Sequence, residues 1–305
     1  MRLDENRTLF EKTINETSVF LDINREYVEK DYWLVLILKN IMSKNRGYVF
    51  KGGTSLSKCY HLINRFSEDI DISYSDSYDS LPVTEVKRKF KGIINSINEA
   101  GLEILDKDHL RRSAYFNQFQ CPYNSLFDNN QIEKKVVVEL AGQTPSFPTT
   151  KKTIQSFVGE YLSHINRNDL VEQYSLEPFE VVVQSLARTI IDKTFAICDY
   201  QIDKRYKKHS RHLYDLYKIM SSYPLNDELV DIFKEVREYR KKIPVCKSAK
   251  EGLYLWKILD EIIENNVFKE DYEKMTFHLL YDHVDYQTCL VSLKNLQTFL
   301  KQNSI

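Results

Sequence analysis

Two aspartates two residues apart, Asp69 and Asp71, follow a glycine pair, Gly52 and Gly53, at a separation that fits one short helix. The stretch 48–74 reads as a strand over 48–50, a glycine turn, a helix opening at Thr54 or Ser55, and a second strand over 69–74. Strand geometry repeats every two residues, so Asp69 and Asp71 share one face while Ile70 and Ile72 turn into a core. Glycines permit positive φ and close approach of the backbone. A helix that starts just after them offers unsatisfied N–H groups to an anion. A phosphate cradle beside two carboxylates on one face is the composition of a Mg²⁺–nucleotide site, because magnesium takes hard oxygen ligands shared between carboxylates and phosphates. Lys51 precedes the glycines and no Gly-Lys-Ser/Thr follows them, so the segment is not a Walker P-loop.

Elements that would position these residues flank the stretch. Residues 4–24 and 29–41 carry helical periodicities, the second with a strongly apolar body expected to pack beneath the glycine strand. Lys30 at its start fits a charged helix opening better than a nucleotide contact. A polar turn cluster over 75–82 leads to a helix over 83–100, for which Gly101 suits the residue just past the C-cap. Strands follow over 113–121 and 132–140, the second rich in β-branched residues and carrying Glu139. The run 143–150 is a Pro/Thr-rich connection, 153–164 a polar helical stretch, and the pattern from 180 onward is helical.

A second cluster lies in that helical half. Arg188 and Asp192 stand four apart on a helix over 181–200 and can pair. Lys193, on the next face, is expected to be free to project toward the first domain, and a lysine suits a triphosphate as a flexible point charge. Lys204, Arg205, Lys207 and Lys208 form a dense basic run. Such a run is usually a solvated loop, and here it is also the one obvious electrostatic footprint for nucleic acid. Arg211 and Asp215 again stand four apart, and an intrahelical pair is the simplest reading of both.

Bulk properties bound the function. The 305 residues carry 42% hydrophobic and 29% charged side chains, which excludes disorder and fits a globular chain. A formal net charge of −1 means that any nucleic acid must meet a local patch. Five scattered cysteines without a Cys-x-x-Cys argue against a zinc site or disulfide framework and for a reducing compartment. The start of the chain lacks the apolar run of a signal peptide, and no segment is long enough to span a bilayer. A cytoplasmic protein with no membrane partner is expected.

The motif Lys51-Gly-Gly-Thr-Ser-Leu-Ser-Lys58, followed by Arg65-Phe-Ser-Glu-Asp-Ile-Asp-Ile72, resembles the signature of the AbiEii/AbiGii-type toxin nucleotidyltransferases, within the DNA polymerase β-like superfamily. The 29–33 run Glu-Lys-Asp-Tyr-Trp, Arg188-Thr-Ile-Ile-Asp-Lys193 and Arg211-His-Leu-Tyr-Asp-Leu216 are similar to further motifs of that family. The resemblance covers roughly 25–220. It implies an α+β fold: a polymerase β-like nucleotidyltransferase domain, a small mixed sheet with flanking helices, over 1–175. A helical bundle over 176–305 would then complete the cleft.

The resemblance also implies a toxin of a toxin–antitoxin or phage-abortive-infection pair, with a cognate antitoxin encoded nearby. Such an enzyme transfers NMP from NTP to an acceptor, with a tRNA 3′ end as the first candidate. Asp69 and Asp71 would hold Mg²⁺ or Mn²⁺. Glu139 would be a third ligand or only a strand-end carboxylate. Gly52, Gly53, Thr54, Ser55 and Arg211 would bind the nucleotide, Lys193 its phosphates, and Asp215 would support the site. Asp192, where many members carry Glu, receives no role. A protein hydroxyl or a small molecule remains an alternative acceptor, and a nucleotide-binding module without turnover is the reading of a different class.

Overall fold

The computed structural model describes residues 1–45, 47–75, 81–105, 116–127, 132–142 and 144–305. Most of the expected turn over 75–82 and the first residues of the strand expected over 113–121 lie outside them. The chain divides into two compact units. The first comprises Met1–Cys59, Ser67–Pro145 and Thr150–Val183; the second comprises Tyr60–Phe66, Ser146–Thr149 and Gln184–Ile305.

The first unit is built on a six-stranded mixed sheet, with strands β1 (Tyr48–Lys51), β2 (Asp69–Tyr74), β3 (Phe116–Pro122), β4 (Lys135–Ala141), β5 (Thr149–Ile154) and β6 (Phe179–Gln184). Their order is β3-β4-β2-β1-β6-β5. β1 runs antiparallel to β2, and β2 runs parallel to β4 with Asp69 beside Val137 and Asp71 beside Glu139. The pleat sorts the residues: Ile70, Ile72, Phe50, Val136, Val138, Phe119 and Val183 are all buried on one face. Asp69, Asp71, Val137 and Glu139 alternate with them on the half-exposed face.

Helices α1 (Arg7–Leu21), α2 (Arg25–Lys44), α3 (Gly52–Lys58), α4 (Val83–Glu99), α5 (Phe157–His164) and α6 (Asn168–Gln173) complete this unit. The Asn24 side chain caps α2 by accepting from Glu26 N–H, and α2 packs on β2, β4, α1, α4 and α5. Gly101, at φ +79, follows the C-cap Ala100 of α4 as the periodicity predicts.

The second unit is helical: α7 (Leu186–Ile202), α8 (Arg211–Met220), α9 (Asp227–Lys241), α10 (Leu255–Glu264), the single turn α11 (Lys269–Asp271) and α12 (Tyr286–Gln302). Its core includes Phe195, Leu213, Leu216, Phe233, Leu259 and Leu296, all buried, the apolar stripes of successive amphipathic helices.

Three expectations about elements are corrected. Residues 179–184 are strand β6, paired parallel with β1, not the opening of a helix; Val181, Val182 and Val183 supply the β-branched run, and the Ser185 hydroxyl, accepting from Arg188 N–H, starts α7 after it. Residues 149–154 form strand β5, and the polar helix begins only at Phe157, capped by Ser156. Helix α3 opens at Gly52, so both glycines lie in its first turn.

Candidate active site

In the sheet unit, β1 and β2 bring the glycine turn against the aspartates. Lys51 stands opposite Asp71 in the ladder, and Gly52 takes φ +76, a left-handed conformation that favours glycine. The fit is steric as well as conformational: a Cβ on Gly52 would fall 1.8 Å from Asp71 Oδ2. The helix that carries the glycines is tied to the acidic strand by the Thr54 hydroxyl, which donates to the Asp69 carbonyl at 2.6 Å and lies 3.0 Å from Ser67 Oγ. The Ser55 hydroxyl donates to the Gly52 carbonyl at 2.8 Å. Both hydroxyls are buried, so they shape the turn from within.

Glu139 lies level with Asp71 one strand over, and its Oε1 accepts from Gln118 Nε2 at 2.8 Å. Among the described residues no three His, Cys, Asp or Glu side chains gather into a metal-binding group. The donors present are hard carboxylate oxygens, and Mg²⁺ commonly takes one or two carboxylates and completes its octahedron with water and substrate phosphates. Asp69 and Asp71 fit that partial shell.

In the helical unit, Asp215 is fully buried at the centre of a three-residue charge cluster. Arg65 grips it bidentately, Nε to Oδ1 at 2.9 Å and Nη2 to Oδ2 at 2.8 Å, and Lys193 Nζ donates to Oδ2 at 2.6 Å. Burial would push the Asp215 carboxyl up, but the Arg65 guanidinium and the Lys193 ammonium hold it well below the usual carboxylate range. Burial alone disfavours the Lys193 charge, and Asp215 opposes that effect. His212 Nδ1 lies 3.4 Å from Lys193 Nζ; burial and then the lysine charge drive its pKa well below the ordinary histidine value, so the ring is neutral.

Two sequence expectations change here. Lys193 does not project freely, being only 7% exposed and held by Asp215. Asp215 pairs with Arg65, 150 residues away, and not with Arg211, which sits exposed at the start of α8. The expected Arg188–Asp192 pair is present at 3.1 Å. Asp192 also accepts from Arg240 at 3.2 Å, which gives it a packing role within the helical unit.

Lys204, Arg205, Lys207 and Lys274 line a groove of about 670 Å³ with Tyr206 and His209, and Glu270 and Asp271 on the same lining leave the cations in excess. The ring of His209 stacks on Tyr200 at 3.7 Å, and Arg205 lies over the same tyrosine at 5.3 Å. Lys208 is exposed nearby, its backbone N–H held by Asp271 at 2.7 Å. Cations gathered along a groove are suited to the phosphates of a nucleic-acid chain.

Sequence reasoning passed over Arg65 although it lies inside the quoted motif. Its signal was an arginine four residues before Asp69, and only the fold supplies its partner.

Comparison with known proteins adds to this geometry. A profile of the family described as "Nucleotidyl transferase AbiEii toxin, Type IV TA system" matches residues 38–301. No curated protein sequence matches the chain. Among solved structures, MenT4, a nucleotidyltransferase toxin from Mycobacterium tuberculosis H37Rv, is 18% identical, with 90% of this chain and 82% of that one covered and a TM-score of 0.50. A crystal structure assigned as a nucleotidyltransferase from H. pylori is 15% identical, with 92% and 96% covered and a TM-score of 0.49. The likeness to MenT4 shows a shared fold. With the family profile spanning most of its length, the chain belongs to the AbiEii family, the nucleotidyltransferase toxins of type IV toxin–antitoxin systems.

Proposed function

We propose that this nucleotidyltransferase uses Asp69 and Asp71 to hold Mg²⁺ or Mn²⁺ and transfers NMP from an NTP to the 3′ end of a tRNA. The observation that carries the reading is the accessible face of β2, where Asp69 and Asp71 stand with Gly52 packed on one and Glu139 level with it. Bound there, the divalent ion would supply charge neutralisation to the triphosphate and lower the barrier to departure of pyrophosphate.

The chain's own residues do the rest. Gly52 and Gly53 let the backbone approach the phosphates, and Thr54 and Ser55 keep the turn in shape through their buried hydroxyls. Glu139, oriented by Gln118, is the third carboxylate of the face. In the helical unit Lys193 is assigned to phosphate charge, with Asp215 and Arg65 fixing the position of its ammonium. Arg211, exposed at the head of α8, is assigned to the nucleotide. The acceptor oxygen bonds to the α-phosphorus, the bond to the β-phosphate bridging oxygen breaks, and the hydroxyl proton passes to an active-site carboxylate or water.

The basic groove at 204–209 supports a nucleic-acid acceptor, since a small acceptor needs no such surface. As a type IV toxin the protein would be countered by an antitoxin encoded nearby, and phage defence is the proposed setting. A tRNA acceptor and five buried free thiols suit the cytoplasm. Among the described residues no helix is long and apolar enough to cross a membrane.

The test is pyrophosphate release and NMP transfer by wild type, Asp69→Ala and Asp71→Ala, each checked for its fold by circular dichroism. Loss in both variants with the fold intact is expected; full transfer by either one defeats the assignment.

A further inference from the structure

Three consecutive charged residues, Glu29, Lys30 and Asp31, are buried on α2, although charged side chains are seldom fully buried without partners. Their partners lie in three directions. Glu29 accepts from Ser125 Oγ at 2.6 Å and from Leu126 N–H at 2.7 Å, ahead of β4. Asp31 accepts from Phe157 N–H at 2.7 Å at the start of α5 and pairs with Lys58 of α3 at 2.8 Å.

Lys30, 2% exposed, makes the connection that matters for the site. Its ammonium donates to the Glu68 carboxylate and, at 3.1 Å, to the Glu133 carbonyl. Glu68 is the residue before β2 and Glu133 lies two residues before β4, so one charge bridges the leading ends of two adjacent parallel strands. Those strands carry Asp69, Asp71 and Glu139. A slip of one residue between them would leave the carboxylates of one strand on the face opposite to those of the other.

We infer that Lys30 is a positioning residue, a clamp on the register of β2 against β4 that keeps Asp71 level with Glu139. This rests on the nucleotidyltransferase reading only for its effect on rate; the clamp itself is a statement about two strands. Misplacement of a reacting group by about 1 Å costs on the order of 100-fold in rate. Lys30→Met keeps the apolar stem and removes the charge, and the Glu68 side chain, 44% exposed, can hydrate in its place.

The experiment compares wild type and Lys30→Met by amide hydrogen exchange of peptides spanning β2 and β4, alongside kcat and KM for NTP. The expected result is exchange at least tenfold faster in those peptides with β6 and α7 unchanged. At least a tenfold fall in kcat with KM for NTP within threefold, and recovery of kcat in Lys30→Arg, should accompany it. Exchange that is unchanged, or that rises equally throughout the protein, overturns the clamp. So does a fall in kcat that only tracks the folded fraction. If Lys30→Met does not fold, Glu68→Ala removes one arm of the bridge and is read the same way. Wild type that transfers no NMP defeats the enzymatic reading and leaves the exchange result to decide the clamp.

Discussion

The Asp71 carboxylate rests against the Cα of Gly52, and a single added carbon there would overlap its Oδ2 at 1.8 Å. The glycine turn and the acidic strand are therefore one steric unit, not neighbouring motifs. Gly52→Ala is predicted to meet two costs together: a positive φ, about 1–2 kcal/mol for an L-residue, and displacement of Asp71. Urea unfolding should show a loss of that size, while NMP transfer should fall roughly 100-fold, the cost of a misplaced reacting group. A variant equally unstable but fully active would show that Asp71 does not need this seat.

Asp215 is predicted to be a keystone of the helical unit, whereas Arg211 is not. Removing one partner of a buried pair leaves uncompensated charge, and Asp215→Ala strands both Arg65 and Lys193; a loss of about 3–5 kcal/mol is expected. Arg211→Ala, at an exposed position, should stay within about 0.5 kcal/mol. Denaturant midpoints for the two variants separate this pairing from the intrahelical one expected from i, i+4 spacing.

How much of this was legible beforehand follows from range. Alternation along 69–74 placed both aspartates on one face, because that pattern is local and the sheet obeyed it. The Arg188–Asp192 pair was legible for the same reason, four residues on one helix. The partner of Asp215 was not, since Arg65 reaches it across 150 positions and a nearer arginine competed for the assignment. Strand β6 was missed because 179–184 run straight into a strong helical pattern, which outweighed the β-branched run Val181–Val183 and the Ser185 cap; its pairing with β1 marks the strand. Thr54 and Ser55 looked like ligands for phosphate; their hydroxyls are committed to Asp69 and Gly52 carbonyls, which no spacing rule reveals.

Acid should weaken the helical unit through His212 before it affects carboxylates. The folded-state pKa of this ring is depressed, so below about pH 6.5, the ordinary histidine value, the unfolded chain binds a proton that the folded one refuses. Stability then falls as pH drops, by up to about 1.4 kcal/mol per unit for one proton. His212→Gln should flatten the profile between pH 6.5 and 5. The Asp215 contribution has the same sign but a lower window, present above the unfolded carboxylate pKa and lost only as pH falls through its depressed folded value. Melting temperatures from pH 7 down through the acid range below the ordinary carboxylate pKa of about 3.9 check both; an unchanged slope between pH 6.5 and 5 in His212→Gln would show that the histidine carries none of the loss.

Charge reversal at the basic groove should act on the acceptor and not on the nucleotide. Lys207→Glu with Lys208→Glu is predicted to raise KM for RNA at least tenfold, to reduce the salt dependence of RNA binding, and to leave KM for NTP unchanged. RNA modification unaffected by both changes would move the acceptor surface elsewhere.

Incubation of the purified protein with Mg²⁺, each α-³²P-labelled nucleoside triphosphate in turn, total bacterial RNA and a cell lysate shows whether Asp69 and Asp71 serve NMP transfer to tRNA. The expected result is label in a tRNA-sized band with one nucleotide preferred, and none when Asp71→Ala replaces the wild type. Label confined to protein or to small molecules would contradict the tRNA acceptor while keeping the chemistry. Label that persists undiminished in Asp71→Ala would contradict the site itself.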